Sequence, residues 1–292
     1  MKRIRVKSIG KRSLESNDYA VVGIVVTVLL IGLIIAVMTM IQTVYIPQWI
    51  EEKEANHMDD VSNEFAHLKY ALDIQAMVND STTVSTSIPL GSKEIPIFSI
   101  GRSFDELRIE KDHLRITVET NNTDPPRSFT SDSIVFSSQN SYFVNQDYAY
   151  EGGAMMMYQE PSSVLFGKPS LVVHQYNYNF SFVLVNISGV QGNNAVSGYG
   201  VYPIFTEVTE NNVGVYHRFE NVTNITIFTS FPHAWYAAFN STFQIWWSNY
   251  TIEEFSDRVV IRFVDDNNEY IANRFNIREV DVKAQIAFGL TD

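Results

Sequence analysis

The sequence predicts an α+β chain: an N-terminal transmembrane helix continuing into an amphipathic stalk helix, then a mainly antiparallel β-sandwich-like head. Three observations carry this reading. No charged side chain occurs from Tyr19 to Gln48. Apolar residues from Met58 to Leu72 recur at helical spacing, and beyond Ser81 the period changes to two. The segments are a basic cytoplasmic leader at 1–18, a transmembrane helix at 19–46, an amphipathic helix at 47–79 and an extracellular β-rich domain at 80–292.

The leader holds Lys2, Arg3, Arg5, Lys7, Lys11 and Arg12 against Glu15 and Asp18, which leaves 15 basic and 31 acidic residues of the chain's 21 and 33 for everything beyond it. So acidic a remainder argues against nucleic acid as a partner. The chain has no cysteine, which excludes disulfides, thiol catalysis and thiolate metal sites. Its 292 residues suffice for a hydrophobic core without such staples.

The uncharged run is longer than the ~20 residues a helix needs to cross a bilayer's hydrocarbon core. It is also longer than the apolar region of a cleaved secretory signal, and Val44-Tyr-Ile-Pro-Gln-Trp49 follows it rather than a small-residue cleavage site. The helix is therefore expected to be retained in the lipid bilayer. Basic residues before it and acidic ones after it place the N-terminus in the cytoplasm and the C-terminus outside. Tyr45 and Trp49 then fall at the outer interface, and Pro47, which lacks an amide hydrogen, predicts a kink or break there. Eight Asn-x-Ser/Thr sequons agree with an outside location: Asn79, Asn121, Asn179, Asn186, Asn221, Asn224, Asn240 and Asn249, all beyond the anchor, are the glycosylation candidates.

In the amphipathic helix, Met58, Val61, Phe65, Leu68 and Leu72 form one apolar stripe with acidic residues between them. Packing against the domain's own sheet is its expected fate, with a helix-helix seam between subunits as the alternative. Asn79-Asp-Ser81 supplies the turn that ends it. Strands follow. Leu107–Ile109 and Leu114–Val118 flank Glu110–His113 like a hairpin, and further strands are expected at 133–137, 141–150, 155–159, 171–178, 180–187, 213–218, 224–229, 259–263 and 270–275. The clearest alternation is the last, Val280 to Leu290, with one face buried. Residues 232–239 read as a short helix before the aromatic stretch 243–250.

A basic leader, a small residue, an acidic residue and then a long apolar helix leading into an amphipathic helix and a β head form a layout that resembles archaeal type IV pilin-like proteins with class III signal peptides. The residues carrying the resemblance are Lys11-Arg12-Ser13, Asp18 and the run Tyr19–Tyr45. It implies that a prepilin peptidase cuts between Ser13 and Leu14, leaving Asp18 as the fifth residue. The helix would then pack in a filament core among copies of itself or other pilin-like subunits. A carboxylate among packed helices needs a partner, and a neighbour's new terminal ammonium is the implied one. Serine in place of the usual Gly or Ala before the cut, and the large ectodomain, depart from the family pattern. They keep open a minor subunit, or a permanently anchored binding or envelope module that does not polymerise. The block Ser141–Gln159 also resembles uncharacterised archaeal pilin-like proteins of similar length.

Motifs for chemistry are few. The sequence contains no nucleophile elbow, P-loop, dinucleotide fingerprint or zincin helix, so no catalytic residue and no cofactor is assigned and the chain reads as non-enzymatic. His57, Asp60 and Glu64 share a helical face at metal-ligand spacing but read as solvated polar residues. Asp265–Glu269 alternates oxygen ligands without the central glycine of a calcium loop and reads as a hairpin turn; no metal is assigned. Trp235, Tyr236, Phe239, Phe243, Trp246, Trp247 and Tyr250 cluster in sequence either as core or as a sugar-stacking platform, and core is the expectation.

Overall fold

The structure, a computed structural model, describes residues 17–78, 81–91, 104–122, 125–174, 178–190, 192, 194–209, 215–245, 247, 249–264 and 273–286. The chain divides into two compact units, Met1–Trp49 and Ile50–Asp292.

In the first unit, α1 (Asn17–Met40) is followed by a π-helical segment, Ile41–Tyr45, and by the start of α2 (Ile46–Val78). One helix is thus long and apolar enough to cross a membrane, and every residue from Val21 to Met40 is exposed. Its few hydroxyls are satisfied within the helix: Thr27, Thr39 and Thr43 donate to the carbonyls of Gly23, Ile35 and Thr39 at 2.8–2.9 Å. Pro47 can donate no hydrogen bond back to Thr43, and the wider turn just before it, in which the Ile46 N–H reaches the Ile41 carbonyl, accommodates that loss.

The second unit is a mostly antiparallel β-sheet head with two helices. Among the described residues its strands are β1 (Val84–Leu90), β2 (Asp105–Thr120), β3 (Arg127–Ser137), β4 (Asp147–Glu151), β5 (Ala154–Gln159), β6 (Ser162–Gly167), β7 (Leu171–His174), β8 (Asn179–Gly189), β9 (Ala195–Gly198), β10 (Gly200–Val208), β11 (Val215–Glu220), β12 (Val222–Phe228), β13 (Thr251–Glu254), β14 (Arg258–Arg262) and β15 (Arg274–Ile286), with α3 (Pro232–Phe243) between β12 and β13. The main path runs β1-β10-β15-β8-β3-β2-β12-β14-β13. β15 and β8 are the parallel pair, and a single bridge, Asp132 to Ile187, joins β8 to β3.

Two cores share these strands because successive side chains point to opposite faces. Phe275 and Ile277 of β15, and Phe180, Phe182 and Leu184 of β8, enter the core that takes Trp235, Phe239 and Phe243 of α3. Val280, Val282, Ala284 and Ile286 of β15, with Val185 and Ile187 of β8, enter the other core. That second core also holds the α2 stripe, Met58, Val61, Phe65, Leu68, Leu72 and Ala76, each no more than 3% exposed. The head's own sheet therefore covers this stripe.

Several expected elements are corrected. The hairpin around Glu110–His113 is instead one long strand, β2, interrupted by a bulge between Glu110 and Leu114. Asp112 adopts φ 50° and donates its N–H to Asp132 Oδ1 at 3.0 Å, so the extra residues are absorbed without reversing the chain. The bulge also changes which core the strand feeds, from Leu107 and Ile109 in one to Leu114, Ile116 and Val118 in the other. The strand expected at 141–150 begins only at Asp147, because the N–H groups of Ser141, Tyr142 and Phe143 bond to the buried Glu54 carboxylate at 2.7–2.9 Å rather than to a neighbouring strand. The strand expected at 270–275 falls partly outside the described residues, and its described end is the start of β15. Phe288 and Leu290, expected to extend that alternation, lie outside the described residues.

Candidate functional site

Ser13 and Leu14, the suspected processing pair, lie outside the described residues, and Asp18 lies in the first turns of α1. Of the sequons, Asn79 falls outside the description. Asn121 and Asn221 are exposed in neighbouring turns, where the Asn121 N–H donates to the Asn221 carbonyl at 2.9 Å. Asn186 and Asn224 are committed to the fold: the Asn186 amide donates to Asp281 (2.7 Å) and Glu279 (3.1 Å), and that of Asn224 to Glu119 (2.8 Å). A glycan on either nitrogen would displace charge-assisted hydrogen bonds. Asn179, Asn240 and Asn249 are half-buried, and Asn240 accepts from the Tyr250 hydroxyl at 3.2 Å.

The aromatic cluster is core. Trp235, Phe239, Phe243 and Trp247 are buried, Tyr236 and Tyr250 are half-buried against them, and Trp246 lies outside the described residues. The acidic run 265–269 lies outside as well. His57 departs from the solvated reading: it is 8% exposed and its Nε2 meets the fully buried Asp105 at 2.7 Å, while Asp60 stays in solvent. Asp105 also accepts from the N–H groups of Gly91 (2.6 Å) and Gln139 (3.1 Å), so the pair joins α2 to two loops of the head.

The most developed polar site is one the sequence did not single out. It starts from the tight turn Glu151-Gly-Gly-Ala154 between β4 and β5. Gly152 and Gly153 have φ 56° and 95°, and a Cβ on Gly152 would lie 2.5 Å from Leu114 Cδ2, so glycine is required there. The turn fixes Glu151, whose side chain is fully buried. Its Oε1 accepts from Trp235 Nε1 and Thr229 Oγ1, each at 2.6 Å, and its Oε2 from His113 Nδ1 (2.7 Å) and Ser133 Oγ (3.2 Å). Four segments of the chain, β2, β3, the connection after β12 and α3, thus converge on one carboxylate, and the full set of donors is what makes its burial tolerable.

His113 carries this arrangement to the surface. Its Nε2 faces Glu110 Oε2 at 3.1 Å, and Glu110 Oε1 accepts from Arg108 Nε at 2.6 Å. Burial disfavours the charged imidazole, but the hydrogen bond and charge of Glu151, with Glu110 behind them, outweigh it and raise the His113 pKa above its ordinary value. Asp147 nearby is also raised, chiefly by burial, with a Ser137 hydrogen bond and Arg108 opposing. Arg108, Glu110, His113 and Asp147 line an open cleft of about 670 Å³ together with His233 and Glu254, 3.0 Å apart, and Phe255. With both ring nitrogens directed at carboxylates, His113 is held in place and presents no free nitrogen to the cleft.

α3 starts at this cleft and is capped from outside itself. Phe231, at its N-cap, has no capping oxygen, so Ser163 Oγ of β6 accepts the Ala234 N–H at 3.1 Å and Thr229 Oγ1 accepts that of Phe231 at 3.0 Å. Pairings between residues this far apart leave no local pattern.

A family model described as "Family of unknown function (DUF7289)" matches residues 20–279, the apolar helix and nearly all of the head. No curated protein and no solved structure matches the chain.

Proposed function

The chain belongs to the DUF7289 family, whose function is unknown, and we propose that it is a non-enzymatic cell-surface protein of the archaeal pilin-like kind. In this reading it is a subunit or minor component of a type IV-type filament, with its leader cytoplasmic and its sandwich-like head displayed outside for adhesion or surface contact. The observation that carries the proposal is α1. Every side chain from Val21 to Met40 is exposed and nearly all are apolar, so the helix requires a lipid or protein environment that the chain itself does not supply. Lys11-Arg12-Ser13 and Asp18 supply the processing signal and the carboxylate that a filament subunit needs.

The N-terminal sequence of the native protein, recovered from cell envelopes, tests this. A start at Leu14 is expected and makes the filament route the working assignment. An intact start at Met1 overturns it and leaves a permanently membrane-anchored extracellular module that does not polymerise.

A further inference from the structure

We propose that the cleft beside the β2 bulge is a binding site for a neutral saccharide, with Glu110, Asp147 and Glu254 accepting hydrogen bonds from its hydroxyls, His113 holding Glu110 in position, and the Phe255 and Tyr158 rings packing on its apolar faces. The site goes beyond surface display and does not depend on whether residues 1–13 are removed.

Size and shape come first. About 670 Å³ of open cleft falls within the roughly 300–1,000 Å³ typical of small-molecule sites. The wall is built rather than incidental. Glu151, fully buried and held by four donors, fixes His113, and His113 in turn meets Glu110. A hydrogen-bonding surface locked in this way loses little entropy when a ligand binds.

Charge then selects the ligand class. Among the described residues, three carboxylates line the cleft, and its one arginine is already engaged: Arg108 donates to Glu110 (2.6 Å), Ser137 (3.0 Å) and Glu106 (3.4 Å). His113 lies between Glu110 and Glu151, and His233 is paired with Glu254. Each cation therefore has a carboxylate partner, and an anionic ligand would meet uncompensated negative charge. Carboxylates that accept from hydroxyls, with aromatic rings at the rim, suit a polyhydroxylated neutral molecule, which offers both O–H groups and C–H faces. Phe255, 39% exposed, is the ring most open to such a ligand.

The test is saturation-transfer NMR on the full chain in lipid nanodiscs, with chitobiose, cellobiose and maltose as neutral probes and glucuronate and inorganic phosphate as anionic ones. Saturable binding of at least one neutral disaccharide is expected. Phe255→Ala and Glu254→Gln should each weaken it about tenfold, the loss of one strong contact, while leaving thermal unfolding unchanged because both side chains are substantially exposed. Preferential binding of glucuronate or phosphate overturns the proposal. So does the absence of saturable binding by every neutral probe, or equal binding by wild type and both variants.

Discussion

α1 and α2 are both rich in apolar residues, yet they place them in opposite environments. In α1, apolar side chains surround the helix and all of Val21–Met40 is exposed; in α2, a single stripe from Met58 to Ala76 is buried in the head. The difference lies in arrangement rather than in hydrophobic residues as such. A helix apolar all round cannot be satisfied by one sheet on one side, so its environment must come from outside the chain. A stripe three and four residues apart presents one face, and one sheet suffices. The acidic residues between the stripe positions keep the other face in water, as with Asp59 and Asp60.

The sharpest way to break the comparison is to remove apolar volume from each helix. Phe65 is fully buried and packs against Phe136 and Tyr148 with ring centroids 6.4 and 5.8 Å apart. Phe65→Ala should cost the head about 3–5 kcal/mol in denaturant unfolding, whereas Leu29→Ala, at a position 67% exposed, should leave that transition in place. Equal effects at the two sites would mean that α1 contributes to the folded core after all.

The next largest effect belongs to α1 alone. Leu30→Lys puts an ammonium in the middle of the apolar run, at a cost of about 2.5–3.5 kcal/mol for insertion. The variant should partition into the carbonate-soluble fraction of cells, with unfolding of its head unchanged. Retention in the membrane pellet would show that α1 is not what holds the chain there.

How far the sequence was legible follows the same division. Both helices and the Val280–Ile286 alternation are local patterns, and local patterns can be read from spacing alone. Strands β1 and β10 were not anticipated: Pro89 and Pro203 interrupt their alternation, and their pairing joins residues more than a hundred positions apart. The bulge in β2 looked like a hairpin because Glu110–His113 is polar whether it forms a turn or faces a cleft. Glu151 gave no signal at all. Its role depends on His113, Ser133, Thr229 and Trp235 arriving from four separate segments of the chain, and a buried carboxylate is indistinguishable in sequence from one in solvent.

Polar burial in α2 supplies the smallest and most selective test. Glu51, Glu52 and Glu54 lie within one turn, and the first two are exposed, but Glu54 is 1% exposed and accepts three backbone N–H groups from the 141–143 loop. Those amides have no strand partner, so the carboxylate takes the place of a sheet ladder, and ionised acceptors make the stronger hydrogen bonds. Glu54→Gln keeps the length of the side chain but replaces one accepting oxygen with a donor that faces an N–H. The expected loss is about 1.5–3 kcal/mol in denaturant unfolding, with faster amide hydrogen exchange confined to residues 141–143. Glu51→Gln, one turn away and in solvent, should change neither. If the two substitutions behave alike, the loop is held by something other than Glu54, and the inward side of α2 is defined by its apolar stripe alone.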